Sequence, residues 1–154
     1  MRLTDFVSPE AVIANLKATN KKQLLQELSE RAGKLSGVSA REIFDALLHR
    51  ERLGSTGIGE GLAIPHGKLT QVKSIFGLFA RLERPIEFDS LDGAPVDLVF
   101  LLLAPESSGA DHLKALACVA RLLRDPGLVA ALRATRNGEA LYSLMAEQSK
   151  PHAA

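Results

Sequence analysis

Hydrophobic residues follow two different spacings along this chain, and the changes between them predict its elements. In NKKQLLQELSERAGKL, residues 20–35, Leu24, Leu25, Leu28 and Ala32 recur at helical intervals. Asn20 and Gln23 form a capping pair there, and Gly33 loosens the far end. Ser39 and Glu42 make a capping box ahead of AREIFDALLHRERLG, a helix expected to bury Ile43, Phe44, Leu47 and Leu48 and to stop at Gly54. Upstream, Ser8 followed by Pro9 predicts a short helix over residues 8–16. The spacing then tightens into apolar runs. SIFGLFARL (74–82) and VDLVFLLLAP (96–105) read as strands, the second buried on both faces. The segment between them holds a DG turn, two prolines and a short strand over 86–88. From Asp111 the helical period returns, with Leu113, Leu116, Ala117, Ala120 and Leu123 on one face. DPG at 125–127 restarts it, and GLVAALRAT and GEALYSLMAEQ are two further short helices.

Helices, then strands, then helices describe an α/β fold: a single-domain sandwich with a mixed central β-sheet flanked by helices. It is expected to span 1–148, with 149–154 as a flexible tail in which His152 is solvated.

Composition narrows the function. A chain of 154 residues suits one core. Its net charge of +1 offers no electrostatic reason to expect nucleic acid or an anionic membrane as partner. The longest apolar run, VFLLLA, is far short of the roughly 20 residues that cross a bilayer, so no membrane insertion is expected. MRLTDFVSPE lacks the apolar run of a secretory signal, and the expected location is the cytoplasm. Cys118 is the single cysteine, which rules out an intrachain disulfide; within a helical pattern it reads as a small core thiol.

The chemistry concentrates in GSTGIGEGLAIPHGKL, residues 54–69. A nucleotide-phosphate loop would need glycine where Leu62 stands and a hydroxyl where Leu69 stands. Gly57, Gly59 and Gly61 form G-x-G-x-G, not the dinucleotide fingerprint, and they precede the apolar strand instead of following it. Ser55 is not in a nucleophile elbow, so the Ser55–Thr56 pair reads more simply as local loop bonding. There remains His66. Imidazole titrates near 6.5, so its neutral form keeps a lone pair able to attack phosphorus. Glycine N–H groups can approach the phosphoryl oxygens closely, and Pro65 restricts the backbone before the ring. Such a histidine needs neither metal nor cofactor.

LGSTGIGEGLAIPHGKL closely resembles the phosphorylation-site signature of enzyme IIA proteins of the mannitol/fructose type in the bacterial phosphoenolpyruvate phosphotransferase system. The likeness covers nearly the whole chain, and VSPEAVIANLKATNKKQLLQELSERAG looks like the nitrogen-regulatory branch, whose members stand alone without fused modules. The resemblance implies a phosphohistidine at His66, a helper at His112 in ESSGADHLKALA, and an associated arginine at Arg50. Ser55, Thr56, Gly57, Gly59 and Gly67 are the candidate phosphate-binding positions. The positive end of the helix that begins near Asp111 suits an anion and disfavours a protonated His112. The family pattern often has Asn where this chain has Glu60, which is expected to point away from the site, and Arg where it has Lys68. His49 matches no site position and reads as helix surface. The implied partners are a phosphohistidine carrier resembling HPr or its nitrogen-branch paralogue, and regulatory targets such as potassium-transport or sensor-kinase proteins. Ile58 belongs to an expected docking rim. The alternative is delivery of phosphate to a IIB domain of a sugar permease.

Overall fold

The computed structural model describes residues 1–149. Of the expected tail, the part that includes His152 lies outside them. The fold is organised around the strand that the sequence marks most strongly, β6 (Val96–Pro105). Every residue from Leu98 to Ala104 on it is buried, as a strand covered on both faces must be. One edge of β6 pairs antiparallel with β5 (Phe76–Ile86), and β5 in turn pairs in parallel with β1 (Val12–Leu16).

The other edge of β6 is occupied by the glycine-rich stretch, whose composition alone reads as loop. It forms β2 (Gly57–Gly59), β3 (Leu62–Ala63) and β4 (His66–Leu69). β3 pairs in parallel with β6 through Leu62↔Leu98 and Ala63↔Val99. β4 then pairs with the same strand through His66↔Leu102 to Leu69↔Pro105. The register is unchanged across the gap. Ile64 and Pro65 are therefore an interruption in one strand, at the point where proline has no N–H to give. Leu102 still donates to the Pro65 carbonyl at 3.0 Å, and Ile64 turns its N–H aside to Thr56 O at 3.0 Å.

Helices α1 (Lys21–Ser36), α2 (Ala40–Arg52), α3 (Ala110–Leu123), α4 (Pro126–Ala134) and α5 (Gly138–Gln148) flank this open, mixed sheet of six strands. α1 packs on α2, α2 on β4, and α3 on β6. Asn20 caps α1 through Gln23 N at 2.8 Å, as its spacing predicts. The end of α1 lies further on than expected: Gly37, at φ +79°, supplies the left-handed cap, while Gly33 lets the Val38–Ala40 backbone pass close by. Ser39 caps α2, whose buried residues include Ile43 and Leu47, with Phe44 and Leu48 only partly covered.

Three expectations fail for tertiary reasons. Residues 8–16 do not form a helix. Pro9–Ala11 closes one 3-10 turn, and Val12–Leu16 gives its backbone hydrogen bonds to β5. A strand thus precedes the first helix. Phe88 ends in no strand, because β5 runs unbroken only to Ile86. Finally, α3 is rotated from the expected face. It buries His112, Ala115, Cys118, Val119, Leu122 and Leu123, and leaves Leu113 69% exposed. Leucines lie on two sides of this helix, and packing against β6 selects the side that carries the imidazole. Cys118 is buried in the core, and that burial pushes its thiol pKa up.

The turn between β2 and β3 is held from two sides. Asp92 accepts from Glu60 N at 2.9 Å, and Arg133, paired with Asp97, donates to the Glu60 carbonyl. Glu60 is exposed and sits at φ +58°, a region where a Cβ is crowded and Asn or Gly is easier to place. Glu60→Asn leaves both backbone contacts in place and should stabilise the fold by about 0.5–1 kcal/mol. Urea denaturation of the two proteins measures it; an unchanged or lower midpoint contradicts the strain.

Candidate functional site

The site forms where α2 lies on β4. A Cβ placed on Gly67 would stand 3.3 Å from Ala46 Cβ, so the bare backbone of Gly67 lets the helix come this close. Ala46 and Arg50 are one turn apart on one face of α2. The approach that needs Gly67 therefore brings Arg50 to the residue beside it. Arg50 Nε donates to His66 Nε2 at 3.3 Å, and Arg50 Nη1 donates to the Gly54 carbonyl at 2.8 Å.

These contacts define the state of the half-buried His66 ring. Guanidinium has donors only, so Nε2 facing it is the unprotonated nitrogen. The other nitrogen, Nδ1, lies 2.8 Å from the Ile64 carbonyl, which can only accept. Both partners select the same neutral tautomer, with the proton on Nδ1 and the lone pair on Nε2. The carbonyl that does this belongs to the residue before Pro65, at the break between β3 and β4.

His112 stands across from His66 in the first turn of α3, with ring centroids 5.7 Å apart and planes at 69°. Gly109, at φ +46°, turns the chain into this helix. His112 is only 8% exposed, and its Nε2 has no hydrogen-bond partner among the described residues. Its pKa is lowered, chiefly by burial and further by the neighbouring His66 and Lys68. Lys68 is exposed and lies two residues beyond His66, on the same face of β4. His112 thus offers an imidazole disfavoured from charging, with a polar atom left without a partner among the described residues, facing the His66 ring.

The sequence-predicted trio of His66, His112 and Arg50 is brought together. Other expected phosphate-loop positions have different partners. Ser55 Oγ donates to Phe88 O at 2.9 Å and accepts from Gly57 N at 3.1 Å. Thr56 is buried, and its N–H and hydroxyl both go to Glu51. The donors of Ser55, Thr56 and Gly57 thus shape the loop. Gly59, at φ +95°, belongs to the turn beside Asp92. His49 is on the exposed face of α2 as expected, and Ile58 is 53% exposed.

Sequence reasoning passed over Glu51, a carboxylate buried in the last turn of α2. One signal was available: an acid at a helix C-terminus opposes the dipole and needs compensating partners.

His66 on β4, Arg50 on α2 and the buried imidazole of His112 on α3 thus meet beside one mixed sheet, a set of groups suited to a compact anion. The family model described as phosphoenolpyruvate-dependent sugar phosphotransferase system, EIIA 2, matches residues 5–148. The chain belongs to that family. It is 60% identical over 146 residues to the nitrogen regulatory protein of Bradyrhizobium diazoefficiens, covering 95% of each chain. The crystal structure of nitrogen regulatory protein IIA-Ntr from Neisseria meningitidis superposes with a TM-score of 0.86 at 33% identity, over 92% of this chain and 97% of that one. The fructose-specific EIIABC component of Bacillus subtilis is 31% identical over 97% of this chain, which spans only 24% of that longer protein. Among the described residues, no helix is long and apolar enough to cross a membrane.

Two measurements probe this geometry. Gly67→Ala forces a methyl against Ala46 and should cost about 1–2 kcal/mol in chemical denaturation, as overpacking does; no loss means α2 does not need the close approach. The second is a pH dependence. Because His112 has a lowered folded-state pKa, the unfolded chain binds its proton first as pH falls. The resulting contribution to stability is complete above the unfolded value near 6.5 and declines as pH drops below it. Between pH 7 and pH 5, wild type should therefore lose more unfolding free energy than His112→Gln. Equal losses would remove the burial argument.

Proposed function

We propose that this chain accepts a phosphoryl group on Nε2 of His66 from a phosphohistidine carrier of the HPr type. The observation that carries the reading is the double restraint on the ring, Nδ1 on the Ile64 carbonyl and Nε2 toward Arg50. The Nε2 lone pair attacks phosphorus in line with the donor's nitrogen–phosphorus bond. That bond breaks, and its electron pair returns to the donor ring. His66 need not lose a proton, because Nδ1 keeps its own and the Ile64 carbonyl stabilises the positive charge that spreads over the ring.

Once Nε2 bonds phosphorus it no longer accepts from Arg50. The guanidinium then turns its donors to the phosphoryl oxygens, where charge collects in transfer. A neutral His112 bearing its proton on Nε2 donates one further bond without adding a full positive charge that would trap the phosphate. Lys68 supplies a second, more distant cation.

The biological output we assign is regulatory. Phosphorylation adds negative charge at the half-buried His66, changing which proteins this face binds. The likeness to a nitrogen regulatory protein over 95% of its length favours this over sugar uptake, since the fructose relative carries this region as one part of a larger protein. The partners in this reading are proteins that report nitrogen, carbon or potassium status, in the cytoplasm. The alternative, passing phosphate to a IIB domain, predicts transfer from the phosphorylated chain to such a domain.

The test is incubation with enzyme I, a phosphocarrier and phosphoenolpyruvate, followed by mass spectrometry. The peptide containing His66 should gain an acid-labile adduct of about 80 daltons, the mass of a phosphoryl group. His66→Ala should gain none. Arg50→Lys, which loses the planar fork, should be phosphorylated about 10- to 100-fold more slowly. Full labelling of His66→Ala would overturn the assignment.

A further inference from the structure

The carboxylate of Glu51 is the least expected charge in this structure. Its side chain is 3% exposed. It accepts from Thr56 N at 3.0 Å and from the Thr56 hydroxyl, and it pairs with Lys21 Nζ at 3.1 Å. Lys21, in the first turn of α1, also lies 4.5 Å over the Phe88 ring and 3.8 Å from Asp89. Burying a carboxylate is costly unless its oxygens are bonded and its charge is paired; here both conditions are met by one loop residue and one lysine.

Thr56 stands between both restraints on His66. Its carbonyl accepts from Ile64 N at 3.0 Å, and the Ile64 carbonyl is the partner of His66 Nδ1. Two residues back, the Gly54 carbonyl accepts from Arg50 Nη1, and the same guanidinium reaches His66 Nε2. A shift of Thr56 therefore moves the partner of each ring nitrogen at once.

We propose that Glu51, charged and paired with Lys21, is a positioning residue for the phosphoacceptor: by gripping Thr56 at two atoms it sets the tautomer and aim of the His66 ring. This rests on His66 being the acceptor. It adds a group that touches neither phosphate nor the ring. Positioning errors near 1 Å at a reacting atom cost about 100-fold in rate, so a carboxylate three hydrogen bonds from the ring, through Thr56 and Ile64, is able to control the reaction.

The experiment compares the full chain with Glu51→Gln, Thr56→Val and Thr56→Ser, each checked for folding by circular dichroism. The first readout needs no phosphate. Nitrogen-15 NMR of the wild-type ring should show a protonated Nδ1 and an unprotonated Nε2 in one tautomer. In Glu51→Gln and Thr56→Val the two nitrogen signals should move toward each other as tautomers mix, while Thr56→Ser, which keeps the hydroxyl, should match wild type. In the second readout, phosphoryl transfer from the carrier should slow about 10- to 100-fold in Glu51→Gln and Thr56→Val, with the final stoichiometry unchanged and Thr56→Ser near wild type.

A folded Glu51→Gln protein with wild-type ring signals and wild-type rate overturns the proposal. So does a Thr56→Ser protein as impaired as Thr56→Val, because packing of the methyl would then be the operative feature. Should Glu51→Gln fail to fold, the Thr56 pair decides in the same way. If wild type takes no phosphate on His66, the functional reading falls, and the ring signals still decide the role of Glu51.

Discussion

Parallel pairing of residues 62–69 with β6, in one register across a proline break, is the constraint on which the site depends. A histidine followed by glycine in a loop would have many conformations to lose on ordering. Here the backbone of His66 is paired with Leu102, inside the most buried strand of the molecule. Alternation along the strand turns the N–H and carbonyl of Ile64 away from β6, so the N–H meets Thr56 and the carbonyl meets the ring two residues on. Rigid backbone and a selected tautomer arise from the same feature.

The charges around the ring follow a consistent division. Groups near His66 Nε2 and His112 are left able to change partners: Arg50 donates there to a single ring nitrogen, and His112 Nε2 has no partner among the described residues to give up. Groups one step away are fully committed, with Glu51 bonded to Thr56 and Lys21 and Arg133 bonded to Asp97 and Glu60. A site that must accept a dianionic group and release it again needs donors near the reacting atom and a surrounding frame that does not move with them. Burial disfavours a charge on His112, so in the proposed transfer it would donate to phosphate without fixing it in a buried ion pair.

The sequence and the structure part company where local pattern met tertiary competition. Val12–Leu16 carries a helix-like start at Ser8 and Pro9, but β5 offers a partner and wins it as a strand. α3 has leucines on two sides, and its packing on β6 and α4 decides that His112 turns inward while Leu113 faces out. Glu51 reads in sequence as one more charge at a helix end; its burial depends on Thr56 and Lys21, which are distant along the chain or across a turn. Ser55, Thr56 and Gly57 look like phosphate donors because hydroxyls and glycines suit anions, yet the loop needs the same groups to close on itself.

By itself the sequence determined the strongly patterned elements, α1, α2 and β6, since their apolar spacing and caps are local properties. It also marked the candidate chemistry, because a neutral imidazole has a lone pair suited to phosphorus without metal or nucleotide. Tertiary structure decided everything that depends on two segments arriving at one point: the strand identity of the glycine-rich stretch, the approach of α2 over Gly67, the facing of His66 and His112, and the nitrogen of His66 left bare. Each of these is a matter of distances between residues far apart in the chain, which spacing along the sequence does not encode.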